Sequence, residues 1–376
     1  MTMKRYFSIS ALLASAIVLA AGCSLTGDFD ESVREEITEP VGELTIEVDE
    51  PLISADGVSP SRITVKQGGI PVTEGVTLYD ASTNKVVDLP GMVFTTDKPG
   101  SYSFWASYQT RYTDPVSIMA ISAAIPVLPE DPQPENLSFS RKVLVTQFTG
   151  TGCGYCPYMT NLLRTFSGKE ANKGKFVLAA YHSYNQSDPA YISSGVNRAM
   201  GISGYPSVAL DLKSSTKYTN YNSIEGFEKI FATEYASSGA KAAISVSTVL
   251  DAPQVVVKAR IKASEEGEYR IAAWLLEDGI AAKQSNYGAS GEFDVHDNCV
   301  RVVMGRNTTT DFTGTKVNLK AGEEAEQYFL MELKNGWEGE NCHAIVFVST
   351  TSDGRAFTVN NVTDCPMNAT VQYSYE

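Results

Sequence analysis

Residues 41–126 and 241–376 read as successions of short strands, alternating apolar and polar residues in the first region, and the stretch between them also carries helical spacing. Leu44-Thr45-Ile46-Glu47-Val48, Ile63-Thr64-Val65 and Tyr102-Ser103-Phe104-Trp105-Ala106 alternate in the first region, and Ala243-Ile244-Ser245-Val246-Ser247, Val255-Val256-Val257-Lys258-Ala259 and Ala356-Phe357-Thr358-Val359 read as strands in the second. Asp56-Gly57, Gly68-Gly69, Pro90-Gly91 and Pro99-Gly100 supply turns in the first region, and Ser352-Asp353-Gly354-Arg355 supplies a hairpin turn in the second. Each region is expected to fold as a β-sandwich. Between them, the apolar runs 143–148 and 176–181 read as buried strands. Met159, Leu162, Leu163 and Phe166 recur at helical spacing, 207–210 reads as a strand, and 224–235 reads as a closing helix. Strands alternating with helices predict an α/β domain over 139–240. A linker stiffened by Pro129, Pro132 and Pro134 occupies 127–138. The expected fold class is therefore multidomain α+β: β-sandwich, α/β domain, C-terminal β-sandwich.

The first 40 residues read as targeting and tether. Lys4 and Arg5 precede an apolar stretch, 7–21, which is too short to span a bilayer comfortably. It ends Leu19-Ala20-Ala21-Gly22-Cys23. Small residues directly before a cysteine form the bacterial lipoprotein cleavage pattern, here with Ala20 where Leu is commoner. The expected reading is a signal peptide over 1–22, lipidation of Cys23 and a polar tether over 23–40; an ordinary secreted protein cleaved nearby is the plain alternative. Several acyl chains hold a protein stably, because each buried CH₂ contributes about 0.8 kcal/mol. Ser24, in place of Asp, favours sorting to the outer membrane, facing the periplasm or the outside. A formal net charge of −14 argues against nucleic acid as a partner. Export places the mature chain in an oxidising compartment with five further cysteines, an odd number.

The informative stretch is Phe148-Thr149-Gly150-Thr151-Gly152-Cys153-Gly154-Tyr155-Cys156-Pro157. Two cysteines three apart at the start of a helix can close a small disulfide. The helix N-terminus can then stabilise a thiolate through its partial positive charge. About fifty residues on, Gly204-Tyr205-Pro206-Ser207-Val208 offers an X–Pro bond before a strand, the one bond type where cis costs under about 1 kcal/mol. With a helical segment expected over 190–200, this order of strand, CxxC, helix, strand, helix, Tyr-Pro-Ser, strand and helix resembles the thioredoxin-like superfamily. Through Ala55-Asp56-Gly57-Val58-Ser59 and Pro99-Gly100-Ser101-Tyr102-Ser103-Phe104, residues 41–126 resemble bacterial immunoglobulin-like domains, a likeness of fold. From about 140 onward the chain resembles Bacteroidetes lipoproteins related to a 28-kDa outer membrane protein, through Phe148-Thr149-Gly150…Cys153-x-x-Cys156-Pro157, Leu276-Glu277-Asp278-Gly279-Ile280 and His296-Asp297-Asn298-Cys299-Val300-Arg301. The resemblance implies that Cys153 is the nucleophile, Cys156 the resolving thiol and Pro206 the proline of the substrate loop. Tyr155 and Tyr205 then flank the substrate. It implies thiol–disulfide exchange with thiols or disulfides of exported proteins, without a cofactor. Two departures weaken it. Gln147 stands where many thioredoxins have a titrating Asp, and Gly152 stands where Trp is usual. The competing expectation is a non-enzymatic surface binding protein or adhesin whose CxxC is a static disulfide.

A two-residue turn at Asp353-Gly354 would pair residues whose numbers sum to 707, as those of Cys342 and Cys365 do. Facing residues lie roughly 4.5–5.5 Å apart between Cα atoms, so a structural disulfide is expected there, with Cys299 left over. If Cys299 pairs instead, Cys342 is its expected partner. His296 and Cys299 are three apart, but on a strand or turn they would diverge, and no metal site is expected. His182, at a strand end, either faces the cysteines or is a satisfied polar residue. No phosphate loop, Ser-His-Asp set or HExxH is present.

Overall fold

The computed structural model describes residues 42–193, 195–304, 312–351, 354 and 356–376. The expected signal peptide, Cys23 and the tether lie outside the described residues, as do Ser352, Asp353 and Arg355 of the expected hairpin turn. In the N-terminal region, alternation builds strands as written. Along Ser61–Gln67 every second residue is buried, which turns Ile63 and Val65 into a core with Leu44, Leu78, Phe104 and Ile118. That core lies between two small sheets. One contains Leu44–Val48 and Ser61–Gln67. The other runs Leu52–Ser54, Val116–Ile121, Gly100–Tyr108, Val76–Asp80 and Lys85–Val87.

From residue 143 the longer elements are, in chain order, β1 (Val143–Thr149), α1 (Cys156–Ser167), β2 (Phe176–His182), β3 (Ser207–Leu210), α2 (Ile224–Ala236), β4 (Ala242–Asp251), β5 (Gln254–Ala263), β6 (Gly267–Glu277), β7 (Cys299–Met304), β8 (Glu324–Glu332), β9 (Cys342–Thr351) and β10 (Phe357–Pro366). An eight-stranded sheet has the order β3-β1-β2-β7-β6-β9-β10, with Thr315–Leu319 also paired to β6. A four-stranded sheet, β8-β5-β4 and Thr370–Val371, packs against it through Val246, Val257 and Ile261, which meet Ile271, Ala273 and Val346.

This arrangement overturns the expected division into an immunoglobulin-like sandwich, a thioredoxin-like α/β domain and a C-terminal sandwich. Among the described residues strand far outweighs helix and is gathered into several sheets, and residues 139–240 do not close off an α/β domain. β2 runs parallel to β7, with Ala180 across from Cys299, and Ala180 N–H donates to Asn298 O at 2.7 Å. The apolar runs set the need for cover on both faces, and the C-terminal strands meet it on one. All seven residues of β1 are buried, so both of its faces need cover. Val143 and Val145 meet Met159, Leu163 and Phe166 of α1 and Phe227 and Phe231 of α2. Leu144 and Phe148 instead share a core with Tyr181, Trp274, Leu276, Ile345 and Phe347, most of them from the C-terminal strands. The sheet curls until β10 returns to β1's neighbourhood, where Val359 N–H donates to Asp211 O at 3.0 Å and Lys142 N–H to Asn361 Oδ1 at 2.9 Å.

The Pro-rich segment 127–138 is fastened to this body by the buried Lys262, whose Nζ donates to Asp131 Oδ2 at 2.8 Å and to Gln133 O at 3.1 Å. The expected Cys342–Cys365 disulfide does not form. Thr351 lies opposite Phe357, already one residue off the expected register, and a bulge between Val348 and Ser349 displaces it by one more. Cys365 therefore faces Ala344. Cys299, Cys342 and Cys365 are all free and buried, and burial pushes the Cys342 and Cys365 thiols up to about 12 and about 11.

The same hairpin carries a pH-sensitive contact. His343 Nδ1 lies 2.5 Å from Asp364 Oδ1 and Nε2 lies 3.6 Å from Asp278 Oδ1. Burial alone would lower this histidine, but the two carboxylates outweigh it and raise it to about 9. A folded-state value above the ordinary 6.5 stabilises the fold fully below about pH 6.5, and that stabilisation is lost as pH rises through about 9. Both carboxylates are about half exposed, so the expected loss is about 1–2 kcal/mol between pH 6 and pH 10. Urea unfolding at the two pH values, with wild type and His343→Gln side by side, checks it. An equal loss in both proteins would remove His343 as the cause.

Candidate redox site

The site is built where β1 ends and α1 begins. Cys153 N–H donates to Gly150 O at 3.0 Å and Cys156 N–H to Cys153 O at 3.2 Å, which coils the loop. Pro157 follows in the first turn of α1, where a missing N–H costs nothing. Cys153 and Cys156 form a disulfide, and both are buried, at 3% and 1% exposure. Tyr155 between them is half exposed and stacks with Tyr221 and edge-on with Tyr287, beside Tyr158.

Gly150 and Gly152 are explained by the loop that packs on them. A Cβ on Gly150 would meet Tyr184 Cβ at 2.7 Å. One on Gly152 would meet Asn185 Oδ1 at 3.0 Å, leaving no room for the usual Trp. Gly152 N–H donates to that same oxygen at 3.0 Å. β3 runs antiparallel to β1 with Ser207 opposite Phe148. This carries the cis Tyr205–Pro206 peptide to the end of β1 from which the cysteine loop departs. Tyr205 is turned toward its own neighbours: its hydroxyl lies 2.9 Å from Ser183 Oγ and 3.2 Å from Asn197 Nδ2, and its ring packs on Tyr184. Gln147 Nε2 donates to Thr160 Oγ1 at 3.1 Å, and Thr160 donates to Cys156 O at 3.2 Å. Gln147 thus ties the first turn of α1 to β1 and moves no proton.

Below the loop lies a group that sequence reasoning saw only in part. His182 Nδ1 is 2.8 Å from Asp188 Oδ2, and His182 Nε2 is 3.5 Å from Cys299 Sγ. Asp188 also accepts from the N–H of Thr151 at 2.7 Å and of Ala190 at 2.8 Å. Its burial would raise the carboxyl, but His182 and these backbone donors outweigh that and hold it at about 2. Asp188 Oδ2 accepts from His182 Nδ1–H, and Nε2 on the other side of the ring faces the Cys299 thiol. Burial pushes that thiol well above its ordinary value. His182 is thus partnered on both ring nitrogens. His296 packs edge-on to it at 5.2 Å and donates from Nε2 to Ala282 O at 3.0 Å; burial lowers its pKa. Among the described residues no group of three or more such side chains is placed to hold a metal ion. Asp188 was missed from sequence. Its signal, an Asp before Pro189 six residues past His182, is common to many turns. A cavity of about 270 Å³ of mixed lining lies under α1, bordered by Gln147, His182, Gln284 and His296 and by Leu163 and Phe293 among others.

Residues 193–371 match the model of the family described as Outer membrane protein Omp28. The match covers just under half of the chain and agrees with the expected outer-membrane location. It includes Pro206, His296 and Cys299 but begins after the cysteine pair. No curated protein matches the chain. Among solved structures, the chain is similar to one described as HBP35 of Porphyromonas gingivalis, at 15% identity and TM-score 0.49 over 61% of this chain and 76% of that one. It is also similar to a domain of the outer membrane lipoprotein Omp28 from Porphyromonas gingivalis, at 17% identity and TM-score 0.23 over 34% of this chain and 89% of that one. At these values neither likeness carries a functional argument.

Proposed function

We propose that this chain is an outer-membrane lipoprotein, anchored through Cys23, that exchanges thiols and disulfides with exported proteins at Cys153 and Cys156. The observation that carries the reading is the disulfide formed across the start of α1, with Cys156 inside the helix and Cys153 in the loop ahead of it. A substrate thiolate attacks Cys153 Sγ. The Cys153–Cys156 bond breaks and its electron pair leaves on Cys156 as a thiolate, which the helix N-terminus favours. A second substrate thiolate then attacks the mixed disulfide and expels Cys153. The substrate dithiol is oxidised and the cysteine pair reduced, and the reverse sequence reduces a substrate disulfide. With Gln147 unable to titrate, the protons pass to water. No cofactor is required.

The rival reading is a surface binding protein whose disulfide is a staple, and the burial of Cys153 favours it. Equilibration of the full chain in glutathione buffers, followed by alkylation and mass measurement, separates the two. Exchange predicts a population of Cys153–Cys156 dithiol within the range the glutathione couple reaches. A bond that persists well below about −300 mV would establish the staple instead.

A further inference from the structure

Two short paired strands, Ile280–Ala281 and Val295–His296, form the root of a strap that arches over the disulfide. Ser285 N–H donates to Thr151 O at 2.7 Å and Tyr287 N–H to Gly154 O at 2.9 Å. Donors two residues apart project from one edge of an extended chain, so two backbone hydrogen bonds tie the strap along the cysteine loop. Gln284 Nε2 lies 3.3, 3.2 and 3.0 Å from the carbonyl oxygens of Gly150, Thr151 and Cys153. The Tyr287 ring rests on Gly154 so closely that a Cβ there would stand 2.6 Å from it. Tyr158, Asn161 and Arg164 of α1 donate to the carbonyls of Tyr287, Ser290 and Glu292 at 3.2, 2.7 and 3.0 Å. Under this cover Cys153 is 3% exposed, while Tyr287 itself is 65% exposed.

We propose that residues 284–287 are a built-in pseudosubstrate. They hold the place of an extended segment of a substrate polypeptide. That segment displaces the strap, pairs its own backbone N–H groups with Thr151 and Gly154, and lays an aromatic side chain on Gly154. The proposal rests on the exchange reading above and gives it a substrate class and a means of control. The backbone pairing explains acceptance of many sequences. The glycine between the cysteines explains why an aromatic side chain can come so close.

The test uses the full chain in detergent and a fluorescein-labelled peptide with the sequence of residues 282–292. In wild type the tethered strap outcompetes the peptide. Gln284→Ala/Tyr287→Ala should bind it at least ten-fold tighter by fluorescence polarisation. Tyr287→Ala alone, which truncates an exposed side chain, should shift binding in the same direction by less. Equal affinity in wild type and both variants overturns the pseudosubstrate. A dithiol version of the peptide then reports exchange. Tighter binding without exchange keeps the strap's role and sinks the redox reading. Exchange at equal rates without a binding shift keeps the redox reading and sinks the strap.

Discussion

Trp274→Ala is expected to destabilise the chain by about 3–5 kcal/mol, the usual loss for a fully buried large aromatic, and to loosen β1 and β2 as much as β6 and β9. Trp274 is fully buried on β6. Its ring meets Phe347 of β9 edge-on at 5.4 Å and Tyr181 of β2 at 6.1 Å. The cavity left behind would open onto Leu144 and Phe148 as well as Ile345, because all of them share one core. Were residues 139–240 a separate domain, the loss would stop at its border. Urea unfolding gives the total, and native-state amide exchange locates it. Protection in β1 and β2 should fall by about two to four orders of magnitude, in step with β6. Unchanged protection in β1 and β2 would break the shared-core description.

Much of the local structure could be read from the residues. The run 143–148 predicted a strand, and β1 spans Val143–Thr149. The spacing of Met159, Leu162, Leu163 and Phe166 predicted the buried face of α1. Long-range pairing could not be read this way. The complete burial of β1 shows that both faces are covered, yet the run is equally compatible with helices on both sides and with further strands. What decides is the single parallel contact of Ala180 with Cys299, across 119 residues, which carries no local signal. The hairpin register failed for a related reason. Pairing by turn position is valid until one residue bulges, and the bulge at Val348 and Ser349 lies in an ordinary run of small and branched residues. At the site, the cysteines and Pro206 stood out because their chemistry is unusual. The strap did not, because Gln284, Ser285 and Tyr287 act through backbone and amide groups that any loop possesses.

Arg141→Met should be about as costly, near 3–5 kcal/mol, because it strands buried partners. The Arg141 side chain is 4% exposed. Nη2 donates to Asp211 Oδ2 at 2.6 Å and Glu234 Oε1 at 3.3 Å. Nη1 donates to the carbonyls of Glu234 and Tyr235 at 2.7 and 2.8 Å, and Nε to Asn360 O at 3.1 Å. One guanidinium therefore joins the end of β3, the last turn of α2 and β10. Met fills similar volume but satisfies none of these acceptors. The two carbonyls at the C-terminus of α2 also lose the positive charge that offsets their partial negative charge. Lysine restores the charge as a single point and cannot reach three elements at once, so Arg141→Lys should recover less than half of the loss. Adding Asp211→Asn to Arg141→Met removes one stranded carboxyl. The double variant should therefore lose less than the sum of the two single changes, a coupling of about 1–2 kcal/mol measurable in a double-mutant cycle. Strict additivity, or a loss below about 1 kcal/mol for Arg141→Met, would mean that the apolar cores alone hold β3, α2 and β10 together.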